Sequence, residues 1–495
     1  MIKLIYRIES DYMSKKRMLI VTSVILSVVT ISLGIVKLYQ TYALSNYIGA
    51  DTDTGIDVYI NDDSYVSIPA NGSSNVYYML TNTNPGTVKY GIAYQTTSGV
   101  TVKVYDTSED PATGTIEENG KKYIKLRLEN SNSTNKTIEL STVLGYENGG
   151  DLVVPSGVTL VTDTYTPPPS AAEYITKLYT DASKTTVTNN SITYNTAPSV
   201  SLMNDRLGGT TTSLDGGNIR YYGASPNNYI YFNCSDYSNQ SSSTCETWRI
   251  IGVFNGKLKI IRNTSIGNYS WDNKNTSTGA EDAYGKNDWT TARLMKLLNP
   301  SDYYTADSND NSLGQSLYWN SASGKCYSSQ NNATTNCDFT STGIKNDTTR
   351  NLISEETWNI GGWNSYSVYS NQIYEYERGT TVYSGRLTTW TGKIGLMYPS
   401  DYGYAADLSK CTKQLGSYND STCKSNDWLF NSNNQWTLTP NSGYSRNAWS
   451  VYSFGNLNYN NASYTNGVRP VLYLASDLAM EPGDGTSSNP YKLSA

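Results

Sequence analysis

The residues best suited to chemistry in this 495-residue chain are carboxylates, because the sequence contains no histidine. Histidine is the commonest general base and the usual activator of Ser and Cys nucleophiles, so ordinary hydrolase triads are excluded. Two carboxylates that flank a glycosidic bond can hydrolyse it, and Asp401 and Asp407 are the pair considered. Nothing in the sequence shows that these two side chains converge. We therefore predict no catalytic residue, no cofactor and no enzymatic activity.

The six cysteines form three local pairs, with 11, 11 and 12 positions between partners. An even number of cysteines in an exported chain indicates disulfides. A zinc site is the competing interpretation, but the sequence has neither a Cys-x-x-Cys pair nor a histidine, so no metal is predicted. The predicted disulfides are Cys234 with Cys245, Cys326 with Cys337, and Cys411 with Cys423.

Acidic residues alternate near the start of the exported region, at Asp51, Asp53 and Asp57. Calcium loops gather carboxylates in a similar way, but Ile56 stands where the EF-hand loop requires glycine. We favour a solvated acidic linker, and calcium binding remains the alternative.

Aromatic residues are the main candidates for ligand contact. All ten tryptophans follow residue 233, many of them among Gly, Asn and Ser, where a ring can stack on a sugar or clasp a peptide. Burial in the core is the alternative for each, because the chain has only 5 Phe. Tyr402 and Tyr404 are expected at the surface because they flank a glycine. The candidate ligand-binding residues are Trp363, Trp390, Tyr402, Tyr404, Trp436, Tyr444 and Trp449.

The N-terminal region carries an apolar run at residues 18–36, which has no charge and is long enough to cross a bilayer as a helix. Basic residues precede the run, and after Lys37 the next one is Lys89, so the positive-inside rule places the N-terminus in the cytoplasm. A cleavable signal peptide ending near Ala43-Leu44-Ser45 is the alternative. We predict a single-pass plasma-membrane protein whose C-terminal ectodomain is extracellular.

The rest of the chain divides at Pro167-Pro168-Pro169, which neither a helix nor a central strand tolerates. Before the prolines, short alternating runs separated by turn residues predict an all-β immunoglobulin-like sandwich that serves as a spacer. The predicted domains are an anchor at 1–45, a sandwich at 50–165, a linker with a short helix and loop at 166–217, an α+β domain at 218–480, and a tail at 481–495.

Local signals specify parts of the C-terminal domain. Asn255-Gly256 joins two apolar runs and predicts a hairpin of residues 248–254 and 257–262. Ser170 and Glu173 form a capping box before a helical pattern, and Asp288 is placed to cap a helix ending at Leu298. Residues 392–405 and 467–474 are predicted mostly as strands with turns. Arg469 is expected near a sheet edge, hydrogen bonded to a carboxylate or to backbone carbonyls.

Together, WRIIGV, the tryptophan-bearing helix, IGLMYPSDYGYA and GVRPVLYL resemble a family of uncharacterised surface domains, mostly from Gram-positive gut bacteria. That family distantly resembles C-type-lectin-like and formylglycine-generating-enzyme-like folds. The resemblance covers residues 218–475 and implies an α+β domain with long loops. The copper-binding cysteine pair of the generating enzymes and the Glu-Pro-Asn or Gln-Pro-Asp loop of calcium-dependent lectins are both missing here.

These observations predict a cell-surface binding or adhesion protein that displays a lectin-like domain to a glycan or protein ligand. An extracellular glycan-acting enzyme and a structural envelope component are the alternatives. The net charge is −6, and the few Lys and Arg are scattered along the sequence, so nucleic acid is not an expected partner.

Overall fold

A computed structural model describes residues 56–59, 65–82, 86–146, 151–206, 217–273, 284–306, 313–327, 334–481 and 483–494. The chain divides into two compact units between Pro167 and Pro168. Within the described ranges no helix is both long and apolar enough to cross a bilayer. The predicted anchor at 18–36 and the acidic residues Asp51 and Asp53 lie outside those ranges.

The N-terminal unit is a two-layer β-sandwich. One sheet has the strand order β1-β3-β7-β5-β10, and the other has the order β2-β8-β4-β6, with β9 paired to β4. The strands are β1 Ile56–Tyr59, β2 Tyr65–Ile68, β3 Gly72–Asn82, β4 Val88–Gln95, β5 Val100–Tyr105, β6 Thr113–Ile116, β7 Lys121–Asn130, β8 Lys136–Tyr146, β9 Val158–Leu160 and β10 Thr164–Tyr165.

Alternating hydrophobicity explains this packing. In β7, Ile124, Leu126 and Leu128 are buried while the residues between them point outward, as the two-residue period of a strand requires. Their partners across the β3 ladder include Val76, which is also buried, so both strands present one apolar face to the same core. The predicted β-sandwich is therefore confirmed at the level of its architecture.

The C-terminal unit is also mostly β-sheet. Its largest sheet has the order β11-β12-β13-β14-β16-β17-β28-β23, with β15 paired to β16, and a second sheet has the order β18-β27-β24-β25-β26. The strands of the first sheet are β11 Thr185–Asn189, β12 Ile192–Ala197, β13 Leu202–Asn204, β14 Ile219–Tyr221, β15 Tyr229–Phe232, β16 Glu246–Phe254, β17 Lys257–Arg262, β23 Ile394–Gly395 and β28 Val471–Tyr473. Those of the second are β18 Asn268–Ser270, β24 Gln435–Pro440, β25 Asn447–Val451, β26 Leu457–Asn461 and β27 Thr465–Gly467.

Three strand pairs and six short α-helices complete the described part of this unit. The pairs are β19 Ser323–Tyr327 with β20 Thr334–Asp338, β21 Glu356–Asn359 with β22 Thr389–Gly392, and β29 Ala479–Glu481 with β30 Lys492–Ser494. The helices are α1 Ala171–Asp181, α2 Arg293–Leu298, α3 Asp347–Asn351, α4 Ser370–Glu377, α5 Pro399–Ala405 and α6 Ser421–Lys424. Single 3₁₀ turns lie at Pro198–Val200, Ser301–Tyr303 and Leu415–Ser417.

The two strongest local predictions are confirmed. Strands β16 and β17 form the Asn-Gly hairpin, and both turn residues have positive φ, 50° at Asn255 and 73° at Gly256. Such a turn matches the right-handed twist of the strands it joins. Helix α1 begins with the predicted capping box, in which Ser170 Oγ accepts from Glu173 N and Glu173 Oε2 accepts from Ser170 N.

Two helix predictions need correction. Helix α2 begins at Arg293 rather than after Asp288, because the Asp288 carboxylate accepts from both the backbone N and the hydroxyl of Thr290 and closes a separate turn. The segment predicted mostly as strand at 392–405 contains helix α5. Pro399 stands in its first turn, where the missing N–H removes no helical hydrogen bond.

The predicted linker and tail belong to the C-terminal unit. Residues 185–204 supply three strands of the largest sheet rather than a loop, and Leu493 of the predicted tail is fully buried. The beginning and end of the unit lie side by side, because Ser170 bridges to Ala479, which pairs in turn with Ser494 at the end of β30. Ala171 N also donates to Leu478 O at 2.7 Å. A polar sequence can form edge strands when its hydroxyls pair across the ladder, as Thr185 and Thr196 do.

All three predicted disulfides are present, and no described cysteine is free. All six cysteine side chains are buried, although the loops that they close are polar. Each link restricts the unfolded chain by about 3 kcal/mol in the entropic account of short loops. The links therefore stabilise segments that bury little apolar surface of their own.

Peptide mapping under non-reducing conditions is expected to return the links 234–245, 326–337 and 411–423 and no free thiol. The reason is that each partner lies within a local loop and each pair is buried in place. Recovery of a peptide that joins cysteines of two different loops would contradict this pairing.

Candidate functional site

Three loops and strand β26 of the C-terminal unit bring four tyrosines and one arginine together. Tyr444, Tyr284 and Tyr464 are exposed by 50%, 42% and 38%, whereas Tyr459 and Arg446 are half-buried. Because a large exposed aromatic surface is uncommon unless it contacts something, this group is the best candidate site in the described structure. We call Tyr284, Tyr444, Arg446, Tyr459 and Tyr464 the tyrosine patch.

Backbone hydrogen bonds hold the three loops against one another. Ser463 N donates to Tyr284 O at 2.9 Å, and Ala462 N donates to Arg446 O at 2.7 Å. These two bonds place the segments around residues 284, 446 and 462 side by side. The patch is therefore assembled from distant parts of the sequence on a fixed backbone.

The rings of the patch touch one another and rest on the core. Tyr444 and Tyr459 have ring centroids 5.9 Å apart, and Tyr459 meets the buried Trp449 edge to face at 5.4 Å. The Arg446 guanidinium lies 4.9 Å from the ring centroid of Tyr284. Since tyrosine has few rotatable bonds, rings supported in this way lose little entropy when they bind.

A buried amide positions the turn that carries Tyr444. Asn287 is fully buried, and its Nδ2 lies 2.8 to 2.9 Å from the carbonyl oxygens of Asn441, Tyr444 and Asn447. Its Oδ1 accepts in turn from Arg386 Nε at 3.2 Å. The Asn287 side chain thus fixes the backbone conformation of the 441–447 turn.

Trp363 supports the same turn from another side. Its ring stacks on Tyr376 with centroids 3.8 Å apart and planes 7° from parallel. Its carbonyl oxygen accepts from Trp449 Nε1 and from Ser442 N, both at 3.1 Å. Three buried polar atoms of this region have no protein hydrogen-bond partner within the described ranges: Trp363 Nε1, Asn441 Nδ2 and Asn447 Oδ1.

The structure separates the seven candidate residues into three groups. Tyr444 is the exposed member, and Trp449 and Trp363 lie beneath it as supports. Trp390 and Trp436 are in the core instead, where their indole N–H groups donate to Tyr303 O and Tyr269 O. Core burial prevails for these two because the chain has few other large apolar side chains.

The expectation that Tyr402 and Tyr404 lie at the surface is wrong. Both are 0% exposed in helix α5, where Tyr402 Oη donates to Gly455 O at 2.7 Å. The glycine between them does not mark a display loop. A Cβ at Gly403 would lie 2.4 Å from Ser370 Oγ, so glycine allows helices α4 and α5 to approach closely.

Tyr284, Arg446, Tyr459 and Tyr464 are absent from the sequence prediction. The sequence marks them only weakly, through the mixture of Tyr and Asn between residues 458 and 464. Tyr284 reaches this segment through a hydrogen bond to Ser463, more than 170 residues away in the sequence. A local sequence pattern cannot predict a contact at that separation.

The carboxylates considered for catalysis have structural partners. Asp401 is buried, and its two oxygens accept from Arg220 at 3.0 Å and from Lys259 at 2.5 Å. Arg220 also binds Asp205 at 2.5 Å, and we call these four residues the buried ion network. Asp407 instead accepts from the backbone and hydroxyl of Ser409, so the two carboxylates are engaged separately.

Burial shifts the pKa of several groups in and near this network. Desolvation lowers the pKa of Lys259 to about 8, although Asp401 opposes the shift. Desolvation also raises the pKa of Glu377 to about 7, against the nearby Arg378 and two hydrogen bonds from Ser400. Lys259 pairs with Asp401, and Glu377 pairs with Arg378 and Ser400, so both groups are engaged by protein partners, as is typical of a structural ion network.

The hydrogen-bonding part of the expectation for Arg469 is confirmed. Its side chain is buried, and Nε donates to Arg262 O at 2.8 Å. Desolvation, with help from Arg249 and Arg262, lowers its pKa to about 9. Arg469 therefore joins strand ends through backbone carbonyls.

Within the described ranges no cluster of three or more Cys, Asp or Glu side chains is arranged to hold a metal ion. No known protein family matches the chain, and no curated protein is similar to it.

Proposed function

We propose that this protein is a membrane-anchored cell-surface binding protein whose C-terminal, lectin-like unit recognises a glycan through the tyrosine patch. One observation carries the proposal: exposed rings from three distant loops converge on a backbone held by buried amides. A sugar presents an apolar C–H face that stacks on such rings, and hydroxyls that pair with neighbouring amides.

The surroundings of the patch favour a glycan over an apolar partner. Strand β26 lies at the edge of its sheet, and by strand alternation its half-buried Asn461 lies on the same face as Tyr459. The Arg446 guanidinium beside Tyr284 supplies a second polar group. A surface of rings and amides matches the mixed polarity of a carbohydrate, and recognition of this kind does not need calcium.

Changing Tyr444 to Ala is expected to weaken glycan binding by about tenfold, because loss of one stacking ring costs on the order of 1–1.5 kcal/mol. The full-length chain, purified in a neutral detergent, would be applied to a glycan array and its best ligand titrated by calorimetry. Tyr65→Ala is the matched control, since Tyr65 is 53% exposed but lies in the N-terminal unit.

Both variants should melt within a few degrees of the parent chain, because an exposed ring contributes little to stability. Binding should be unaffected by a chelator. The proposal fails if Tyr444→Ala and Tyr459→Ala both bind the array ligand as the parent does. Turnover of the ligand by the parent chain would favour the glycan-acting enzyme instead.

A further inference from the structure

The N-terminal unit, predicted to be only a spacer, exposes a patterned sheet face. In the sheet containing β3, β7 and β5, one face packs on the core and the other faces solvent. Tyrosines and cations dominate the solvent side, where Tyr77 is 73% exposed and Tyr123 is 44% exposed. We call this surface the cationic face, and its residues are Tyr77, Lys103, Tyr105, Lys121, Tyr123, Lys125, Arg127 and Tyr165.

Strand register aligns rings and cations across four strands. Tyr77 of β3 is paired with Lys125 of β7, and Tyr105 of β5 is paired with Tyr165 of β10. Lys125 Nζ lies 4.2 Å from the ring centroid of Tyr105 and 5.5 Å from that of Tyr77. Arg127 Cζ lies 4.5 Å from the ring centroid of Tyr165, so each of these three rings has a cation beside it.

The face has an excess of positive charge. Lys103, Lys121, Lys125 and Arg127 point outward from β5 and β7, whereas Glu129 is the one carboxylate among the outward side chains of β3, β5 and β7. Glu129 pairs with Lys103 at 2.8 Å and with Arg127 at 2.9 Å, and the Lys103 hydrogen bond helps to lower its pKa. This local excess occurs in a chain whose net charge is −6.

The charges are held in place rather than scattered on mobile side chains. Cation–π contacts and cross-strand pairs contribute roughly 0.5–1 kcal/mol each at exposed sites, enough to restrict long side chains. Tyr105 Oη also donates to Asn75 Oδ1 at 2.7 Å, which fixes the Tyr105 ring between Lys125 and Arg127. The face is therefore a preorganised array.

We propose that the cationic face binds an anionic polysaccharide, one that carries carboxylate or sulfate groups along an extended chain. Outward side chains recur about every 6.6–6.8 Å along a strand, and neighbouring strands lie about 4.8 Å apart. A flat two-dimensional array of this kind suits a ligand with charges repeated along its length. Lysine and arginine bind the anions, and the exposed tyrosines stack on the sugar rings.

An acidic polypeptide fits this surface less well. A peptide that adds a strand binds at a sheet edge, and an amphipathic helix needs an apolar groove. The cationic face is the solvent-facing surface of a sheet rather than its edge, and its outward residues are rings and cations instead. This proposal does not rest on the tyrosine patch, because the two surfaces belong to different units.

The test uses the full-length chain in neutral detergent, captured on a biosensor surface. Polygalacturonate and dextran sulfate are the two anionic probes, which distinguish carboxylate from sulfate, and unmodified dextran is the uncharged control. Polyglutamate and an oligothymidylate represent acidic polypeptides and nucleic acid. We expect at least one anionic polysaccharide to bind, with affinity falling as the salt concentration rises from 50 to 300 mM, because exposed charges are screened.

Variants with equal charge changes locate the site. The double variant Lys125→Gln and Arg127→Gln should bind the anionic polysaccharide at least tenfold more weakly than the parent. The control double variant Lys89→Gln and Lys136→Gln removes two charges from the other sheet and should change binding by less than twofold. Lys121→Gln, at an exposed position, is the reserve variant if the first double variant does not fold, with an expected loss of about threefold.

Specific outcomes would overturn the proposal. Equal weakening by the two double variants would mean that only net charge matters. Binding of polyglutamate or oligothymidylate as tight as that of the polysaccharides, with the same dependence on Lys125 and Arg127, would assign the face to an acidic protein or a nucleic acid. Absence of binding to both anionic polysaccharides would also refute it, whereas the Tyr444→Ala variant should bind them normally.

Discussion

Replacing Asp401 by Ala is expected to lower the free energy of unfolding of the C-terminal unit by about 3–5 kcal/mol, the usual result of breaking a buried ion pair. Arg220 would remain buried with Asp205 as its carboxylate partner, whereas the buried Lys259 would lose the carboxylate with which it pairs. The change also removes an acceptor for Tyr398 N at the start of helix α5. Much of this loss of stability comes from the buried positive charge of Lys259, which would lack its carboxylate partner.

The effect can be measured without separating the two units. All ten tryptophans lie in the C-terminal unit, so tryptophan fluorescence during urea unfolding reports on that unit alone. Asp181→Ala is the matched control, because Asp181 forms an exposed pair with Lys177 worth at most about 0.5 kcal/mol. A shift below 1 kcal/mol for Asp401→Ala would show that the network contributes little to stability.

The C-terminal unit is also expected to lose stability as the pH rises from 5 to 7. Burial raises the pKa of Glu377 from 4.5 to about 7 and that of Asp272 from 3.8 to about 6. At pH values between the ordinary pKa and the raised pKa of each carboxyl, the folded unit binds more protons than the unfolded chain. Raising the pH through this range therefore favours unfolding. Between pH 5 and pH 7 the contribution of Glu377 alone is about 2 kcal/mol.

Urea unfolding at pH 5, 6 and 7 tests this dependence. Lys259 does not oppose it, since its lowered pKa of about 8 affects stability only at higher pH. Glu377→Gln should reduce the slope while keeping an acceptor for Ser400, and Asp181→Ala should keep the parental slope. Burial also raises the pKa of Asp427, which supplies part of the slope that remains. Stability that rises between pH 5 and pH 7 would contradict the assignment.

Elements whose determinants are close in sequence could be predicted. The hairpin of β16 and β17 depends on two turn residues, helix α1 on a capping box four residues long, and each disulfide on cysteines 11 or 12 positions apart. In each case the physical cause lies within a dozen residues, so the sequence pattern was sufficient.

Features that depend on distant pairing could not be predicted in the same way. Strands β11 to β13 consist largely of Thr and Asn and resemble loop sequence, and their place in the sheet follows from neighbours such as β14. In sequence, Tyr402 and Tyr404 resemble residues of an exposed loop because a glycine separates them. Their burial depends on the packing of Ser370 against Gly403, which is a tertiary contact. Of the tyrosine patch, Tyr444 alone was a candidate, because the other members join it through tertiary contacts.

The adjacency of the first and last segments of the C-terminal unit has a consequence for its use as a module. Because Ser170 bridges to Ala479, and Ala479 pairs in turn with Ser494, the two ends of the described unit lie close together. A domain with this arrangement can be inserted into a loop of another protein, or circularly permuted, without stretching its host. The loops that carry the tyrosine patch would keep their arrangement in such a fusion, whichever protein the unit is joined to.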